Sequence, residues 1–134
     1  MPQNRFNGTW KLNVSASSLP FAPPRSVVLE IAVDGEDVSL TENSVDARGA
    51  AETVTIRARF DNQIYPVMGS ALADGFAIER VHEDTWRARG TNSGNLIFTE
   101  TIVLAPDGAS IREDAETTLA DGSRAPATLI YERQ

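Results

Sequence analysis

Short alternations of apolar and polar residues run along most of the chain and predict β-strands. The clearest lie within 27–33, 54–60 and 96–104, where apolar side chains recur at every second position. Four Asp-Gly dipeptides and several other turn clusters separate these segments, and such dipeptides favour tight hairpin turns because glycine adopts positive φ without steric cost. No segment has a helical period. We predict ten strands, at about 6–14, 26–33, 37–44, 51–60, 63–68, 75–81, 85–91, 95–105, 109–118 and 125–132.

The fold class that follows is all-β. Ten short antiparallel strands joined by tight turns favour a meander that closes on itself, because closure removes exposed sheet edges. We therefore predict one domain over residues 1–134, a single antiparallel up-and-down β-barrel of about eight to ten strands. An eight-stranded barrel is just filled by side chains or holds one small ligand, and ten strands leave more room. The number of strands thus predicts an interior cavity.

A proline-rich segment, residues 15–25, interrupts the meander between the first two strands. Its three prolines lack backbone N–H groups, which disfavours a paired strand there. Leu19 and Phe21 within it need apolar surroundings. We expect a loop over one barrel mouth, which is either a flap covering that mouth or a plug that seals the core.

Composition narrows the possible partners. The chain has 134 residues with 19 acidic and 12 basic side chains, a formal charge of −7, which argues against nucleic acid and against docking on an anionic membrane. It contains no cysteine and one histidine, and it lacks phosphate-loop and dinucleotide motifs, so we expect no metal site and no cofactor. No long apolar run is present, which predicts no membrane insertion. We expect a cytoplasmic protein, or one secreted after removal of a signal peptide, as a monomer or homodimer.

Both ends of the chain resemble a known superfamily. Residues 6–12, Phe-Asn-Gly-Thr-Trp-Lys-Leu, resemble the first strand of the calycins, the group of lipocalins and fatty-acid-binding proteins, which carries Gly-x-Trp. Residues 128–133, Thr-Leu-Ile-Tyr-Glu-Arg, resemble the closing strand of intracellular fatty-acid-binding proteins, and the Arg-Phe-Asp at 59–61 is similar to their Glu-Phe-Asp. Residues 8–13, the proline-rich loop and residues 65–70 look like small bacterial lipocalin-like proteins of undefined function. The resemblance implies a barrel that binds a small molecule.

Two departures from that family bear on the ligand. The proline-rich loop stands where fatty-acid-binding proteins have a pair of helices, and Leu129 stands where they hold the ligand carboxylate with an arginine. Tyr131 keeps the family's phenol. We therefore expect a neutral, mostly hydrophobic ligand rather than a fatty acid, unless an arginine from another strand supplies the charge.

Two glutamates on apolar faces are candidate catalytic residues. Glu100 and Glu113 each alternate with apolar side chains. A two-residue loop that pairs residue 105 with 108 would set Glu100 directly opposite Glu113, and two such carboxyls could share a proton for acid–base catalysis. A three-residue bulged loop that pairs residue 105 with 109 would instead oppose Thr101 to Glu113 and turn Glu100 to the other face.

The remaining candidates are ligand contacts. The arginines at 57, 59, 87 and 89 either line the outside with glutamate partners or send one or two side chains inward to a ligand. The residues predicted to contact a ligand are Tyr131, Leu129, Tyr65, Arg59, Phe98, Trp86 and Phe21. The leading hypothesis is a protein that binds a small hydrophobic molecule. The alternative is a cofactor-free isomerase, cyclase or lyase that uses Glu100 and Glu113.

Overall fold

Ten antiparallel strands form a closed barrel within residues 4–134, which are the residues that the computed structural model describes. Residues 1–3 of the predicted domain lie outside the described residues. Each strand pairs with its neighbours in the chain, and the first strand pairs with the last. The strands are β1 (Gly8–Leu12), β2 (Ser26–Asp34), β3 (Asp37–Val45), β4 (Ala51–Arg59), β5 (Tyr65–Met68), β6 (Gly75–His82), β7 (Thr85–Asn92), β8 (Asn95–Leu104), β9 (Ser110–Thr118) and β10 (Arg124–Arg133). The predicted all-β, closed antiparallel barrel is confirmed.

The largest difference from the predicted strands is at β1, which is shorter than 6–14. Asn13 ends it because its side chain accepts a hydrogen bond from the backbone N–H of Ala16, at 3.1 Å. This contact caps a single 3-10 turn, Val14–Ala16. An asparagine that bonds nearby backbone offers the chain an alternative to sheet pairing, and it starts the loop that leads to β2.

Aromatic side chains fill one end of the barrel. Phe6, Trp10 and Trp86 are fully buried or nearly so, and the rings of Phe6 and Trp86 stack with centroids 3.7 Å apart. Trp10 donates its indole N–H to the carbonyl of Phe6 at 3.0 Å, so the indole is buried without losing its hydrogen bond. The guanidinium of Arg133 covers the Trp10 ring at 4.1 Å from its centroid. This end of the interior is therefore packed with aromatic rings.

The register between β8 and β9 differs from both predicted pairings. Ile102 lies opposite Glu113, and the backbone N–H of Ala105 donates to the carbonyl of Ser110 at 2.9 Å, which leaves a four-residue loop. The pairings of residue 105 with 108 and with 109 are therefore both wrong. Compared with the first predicted pairing, β9 is shifted by two residues, so Glu100 lies opposite Ala115 and not opposite Glu113. Because side chains alternate between the two faces with period two, Glu100 and Glu113 still lie on the same face.

Within the described part of the chain, no helix has the length and apolar character needed to cross a membrane.

Candidate functional site

A cavity of about 450 Å³ lies inside the barrel. Its wall is mostly apolar and is built by strands from all sides of the barrel, because each strand alternates inward apolar and outward polar residues. The volume falls in the range of small-molecule sites. Representative wall residues are Leu29, Leu40, Ile56, Phe76, Ile102 and Leu129.

The proline-rich loop contributes several side chains to the same cavity, among them Leu19, Phe21 and Pro24. The loop is tied to β10 at its start, where Ser18 and Thr128 exchange two backbone hydrogen bonds of 2.8 Å. Phe21 is nevertheless 51% exposed. Leu72, another lining residue, lies on the loop before β6 and is 56% exposed. Both side chains therefore contact the cavity and solvent, which gives this side of the cavity an apolar entrance.

Three glutamates bring carboxyl groups into the apolar interior. Glu42 belongs to β3, where it lies between Leu29 and Val54 of the neighbouring strands, while Glu100 and Glu113 belong to β8 and β9. All three line the cavity. Glu113 is the one charged or polar residue among the buried side chains of residues 4–134.

Burial changes the protonation of these carboxyls. It raises the pKa of Glu100 to about 7, with a further increase from the charge of Glu42 and an opposing effect of a hydrogen bond from Glu113. Burial also raises the pKa of Glu113 well above 4.5, and the charges of Glu100 and Glu42 raise it further. The pKa of Glu42 is raised by burial and then by Glu52. Both carboxyls, Glu100 and Glu113, therefore keep a proton to higher pH than an exposed glutamate does.

Tyr131 on β10 adds a phenol to this wall. The residue is 2% exposed, lines the cavity, and its hydroxyl makes no hydrogen bond to any residue in the range 4–134. Burial, followed by the charge of Glu113, raises the pKa of Tyr131 well above 10, so the hydroxyl stays protonated. The hydroxyl therefore offers a free donor and acceptor to the cavity. Among residues 4–134, the one fully buried side-chain nitrogen or oxygen without a partner is Nε1 of Trp86.

The structure places most of the predicted site residues around this one cavity. Leu129, Phe98, Trp86 and Phe21 line it together with Glu100, Glu113 and Tyr131. Their contact with a ligand stays a prediction. The ring of Phe98 reaches the interior beside Gly90, where a Cβ atom would overlap it, so a residue without a side chain is needed at that position of β7.

Arg59 and Tyr65, the other two predicted ligand contacts, lie away from the cavity. Arg59 lies on the outer face, with its guanidinium 3.8 Å from the carboxylate of Asp37, because its neighbour Ala58 takes the buried position on β4. The ring of Tyr65 packs against the core, but its hydroxyl donates to the carboxylate of Asp61 at 2.7 Å in an exposed turn. Neither residue lines the cavity.

Glu42 is a cavity residue that the sequence-based candidates do not include. The signal for it is the alternation along β3, in which Val38, Leu40 and Glu42 occupy every second position. A carboxyl at the third position of such a series faces inward with the apolar side chains.

Among residues 4–134, no three His, Cys, Asp or Glu side chains lie close enough together to hold a metal ion.

Comparisons with known proteins identify the architecture. No protein-family model matches the sequence, and no curated protein matches it. Among solved structures, zebrafish ileal bile acid-binding protein, crystallised with cholic acid, superposes with a TM-score of 0.63 at 12% identity, over 97% of this chain and 99% of that chain. The chain has the calycin fold. The siderocalin Ex-FABP also matches, with a TM-score of 0.43 at 11% identity, over 97% of this chain and 74% of that chain.

Proposed function

We propose that the barrel binds a small, mostly apolar molecule in its interior. The observation that carries this proposal is the cavity of about 450 Å³, which has an apolar wall and a few convergent polar groups, the usual composition of a ligand site. The crystallised bile acid-binding protein shares the fold and carries cholic acid in its complex, which supports a ligand inside a barrel of this kind.

The wall residues have distinct proposed roles. Leu129, Phe98 and Trp86 supply apolar contact area, and the free hydroxyl of Tyr131 orients a polar atom of the ligand. Residues 15–25 act as a flap over one mouth rather than as a plug. The half-exposed Phe21 supports this role, because a side chain that only sealed the core would be buried.

A fluorescence titration with N-phenyl-1-naphthylamine, a neutral apolar probe, tests this function. We expect saturable binding of one probe per chain. Ala115→Phe places a ring in the cavity and should weaken binding at least tenfold, whereas Ala32→Phe, on an exposed position of β2, should leave it within about twofold. Circular dichroism establishes that both variants are folded. A wild-type chain without saturable binding, or equal effects of the two substitutions, would contradict the proposal.

A second candidate function is cofactor-free acid–base catalysis. The observation that favours it is the pair of carboxyls, Glu113 and Glu100, that line the open cavity from adjacent strands, because a carboxyl with a pKa near 7 can both take and give protons at neutral pH. Such a pair could exchange the proton next to the carbonyl of a bound ketone.

Deuterium exchange tests this candidate. Apolar ketones that displace the fluorescent probe are incubated with the protein in D₂O, and mass spectrometry follows incorporation at carbon. Catalysis predicts exchange that falls by roughly 100-fold or more in Glu113→Gln. If no bound ketone exchanges above the uncatalysed rate, or if Glu113→Gln exchanges at the wild-type rate, the acid–base role is refuted.

A further inference from the structure

All charged groups at the cavity have the same sign. Five carboxylic acids line it, and no Lys, Arg or His of the described chain does. The acidic lining residues are Glu42, Asp46, Glu52, Glu100 and Glu113. Arginines of the barrel wall point outward instead; Arg87, for example, is exposed and lies 3.7 Å from Glu79 on the neighbouring strand. Asp46 and Glu52 are exposed, so the acidic groups of the interior are the three glutamates, and no basic side chain lines the cavity beside them.

Three of these acidic residues, Glu42, Glu100 and Glu113, are glutamates that reach the cavity from different parts of the wall. Glu42 comes from β3, whereas Glu100 and Glu113 come from the adjacent strands β8 and β9. All three line the same cavity, and the charge of Glu42 raises the pKa values of both Glu100 and Glu113. Burying carboxylates in apolar surroundings is costly unless an opposite charge or hydrogen-bond donors accompany them. Among the residues of the described chain that line the cavity, no cation accompanies them.

Tyr131 is an independent indication of a ligand atom at this place. The residue is 2% exposed and lines the same cavity, and its hydroxyl makes no hydrogen bond within residues 4–134. Its strand, β10, pairs with β9, and Leu129, two residues before it on the same face, is directly opposite Glu113. The phenol and the carboxyls therefore line one region of the cavity. Their oxygen atoms come from three parts of the wall, namely β3, the pair β8 and β9, and β10.

We propose that the occupant is an apolar molecule with one amino group, bound as its ammonium ion, with the nitrogen near Glu42, Glu100 and Glu113 and the apolar body against the hydrophobic wall. This inference rests on the proposed binding function and specifies the class of ligand. A primary ammonium has three N–H donors and no acceptor, which matches a site of carboxylates and a phenol oxygen. A carboxylate ligand would add a further acidic group to this site, and a neutral ligand would bring no charge to balance the carboxyls that ionise.

The test compares three probes with the same ten-carbon chain: decylamine, decanol and decanoate, each below its micelle concentration. Each competes with N-phenyl-1-naphthylamine at pH 7. We expect decylamine to bind at least tenfold more tightly than decanol, which corresponds to about 1.4 kcal/mol, and decanoate to bind less tightly than decanol. The double variant Glu42→Gln/Glu100→Gln should reduce the preference for decylamine to less than about threefold. Glu116→Gln, an exposed position on β9, should retain it.

Calorimetry gives a second measurement that does not depend on the variants. A cation placed beside Glu42, Glu100 and Glu113 favours their charged forms, while Tyr131 stays neutral, so decylamine binding at pH 7 should release protons. Binding heats in phosphate and HEPES buffers measure that release. Failure of the fluorescent probe to bind would contradict the binding function itself. Probe binding with equal or tighter displacement by decanol or decanoate, or proton uptake with decylamine, would overturn only the amine assignment.

Discussion

The stability of the barrel should decrease as pH rises through neutrality, and Glu100→Gln should reduce this dependence. The pKa of Glu100 is about 7 in the folded chain, compared with 4.5 for an ordinary glutamate, the value that we take for the unfolded chain. Below about pH 4.5 both the folded and the unfolded chain are protonated there. Between the two values the unfolded chain loses the proton first, so the free energy of unfolding falls as pH rises and levels off above pH 7. At about 1.36 kcal/mol per pH unit, the loss amounts to about 3 kcal/mol.

Other titrating groups either add to this decrease in stability or titrate outside the interval between pH 4.5 and pH 7. Glu113 and Glu42 also have raised pKa values, so Glu100→Gln reduces the slope without abolishing it. Tyr131 stays protonated throughout. Hydrogen bonds lower the pKa of four surface aspartates, whose contributions are lost only in more acidic solution. These aspartates are Asp46, Asp61, Asp114 and Asp121.

Urea unfolding followed by tryptophan fluorescence at pH 5, 6, 7 and 8 measures this effect. Between pH 5 and pH 8 the titration of Glu100 should by itself cost the wild-type chain about 2.5 kcal/mol, and Glu113 and Glu42 should add to this loss. Glu100→Gln should lose clearly less, because glutamine does not titrate. Glu116→Gln, on the outer face of β9, serves as the matched control and should follow the wild type. A wild-type free energy of unfolding that stays constant or rises over this interval would refute the assigned protonation, and so would equal slopes for Glu100→Gln and the wild type.

Four further substitutions test the packing by urea unfolding. Phe6→Ala removes a fully buried ring that stacks on an indole and should cost about 3–5 kcal/mol, whereas Phe21→Ala, at a half-exposed ring, should cost less than about 1 kcal/mol; similar costs would contradict the described burial. Gly90→Ala should cost about 1–3 kcal/mol because its Cβ overlaps Phe98, and the cost should shrink in a Phe98→Leu background; an unchanged cost would exclude this clash as the cause. Arg59→Ala should change stability by less than about 1 kcal/mol and leave probe binding unchanged, and weakened binding would restore Arg59 as a ligand contact.

The ten strands could be predicted because their boundaries depend on local chemistry. Turn residues such as the Asp-Gly at 34–35 and 121–122 act within two or three residues, and the alternation between them needs no long-range information. The same alternation places Ala58 inward and its neighbour Arg59 outward, which the structure shows.

The pairing of strands could not be predicted from the same local signals. The segment Ala-Pro-Asp-Gly at 105–108 is compatible with loops of several lengths, and the observed four-residue loop depends on how β8 and β9 also pair with β7 and β10. Only one of the two predicted registers would place both Glu100 and Glu113 on the inner face. The structure has a third register, which also places both of them there. The carboxyl of Glu42 approaches them across the cavity only because the barrel closes.

Methyl NMR of the chain titrated with N-phenyl-1-naphthylamine tests the central claim of an interior binding site most directly. The account predicts saturable shifts, at one probe per chain, for methyl groups of the cavity wall such as those of Ile102 and Leu129. Methyl groups of Ile64 and Val81, which are exposed and do not line the cavity, should shift little. Shifts confined to the exposed methyl groups, or no saturable shifts at the wall, would contradict it.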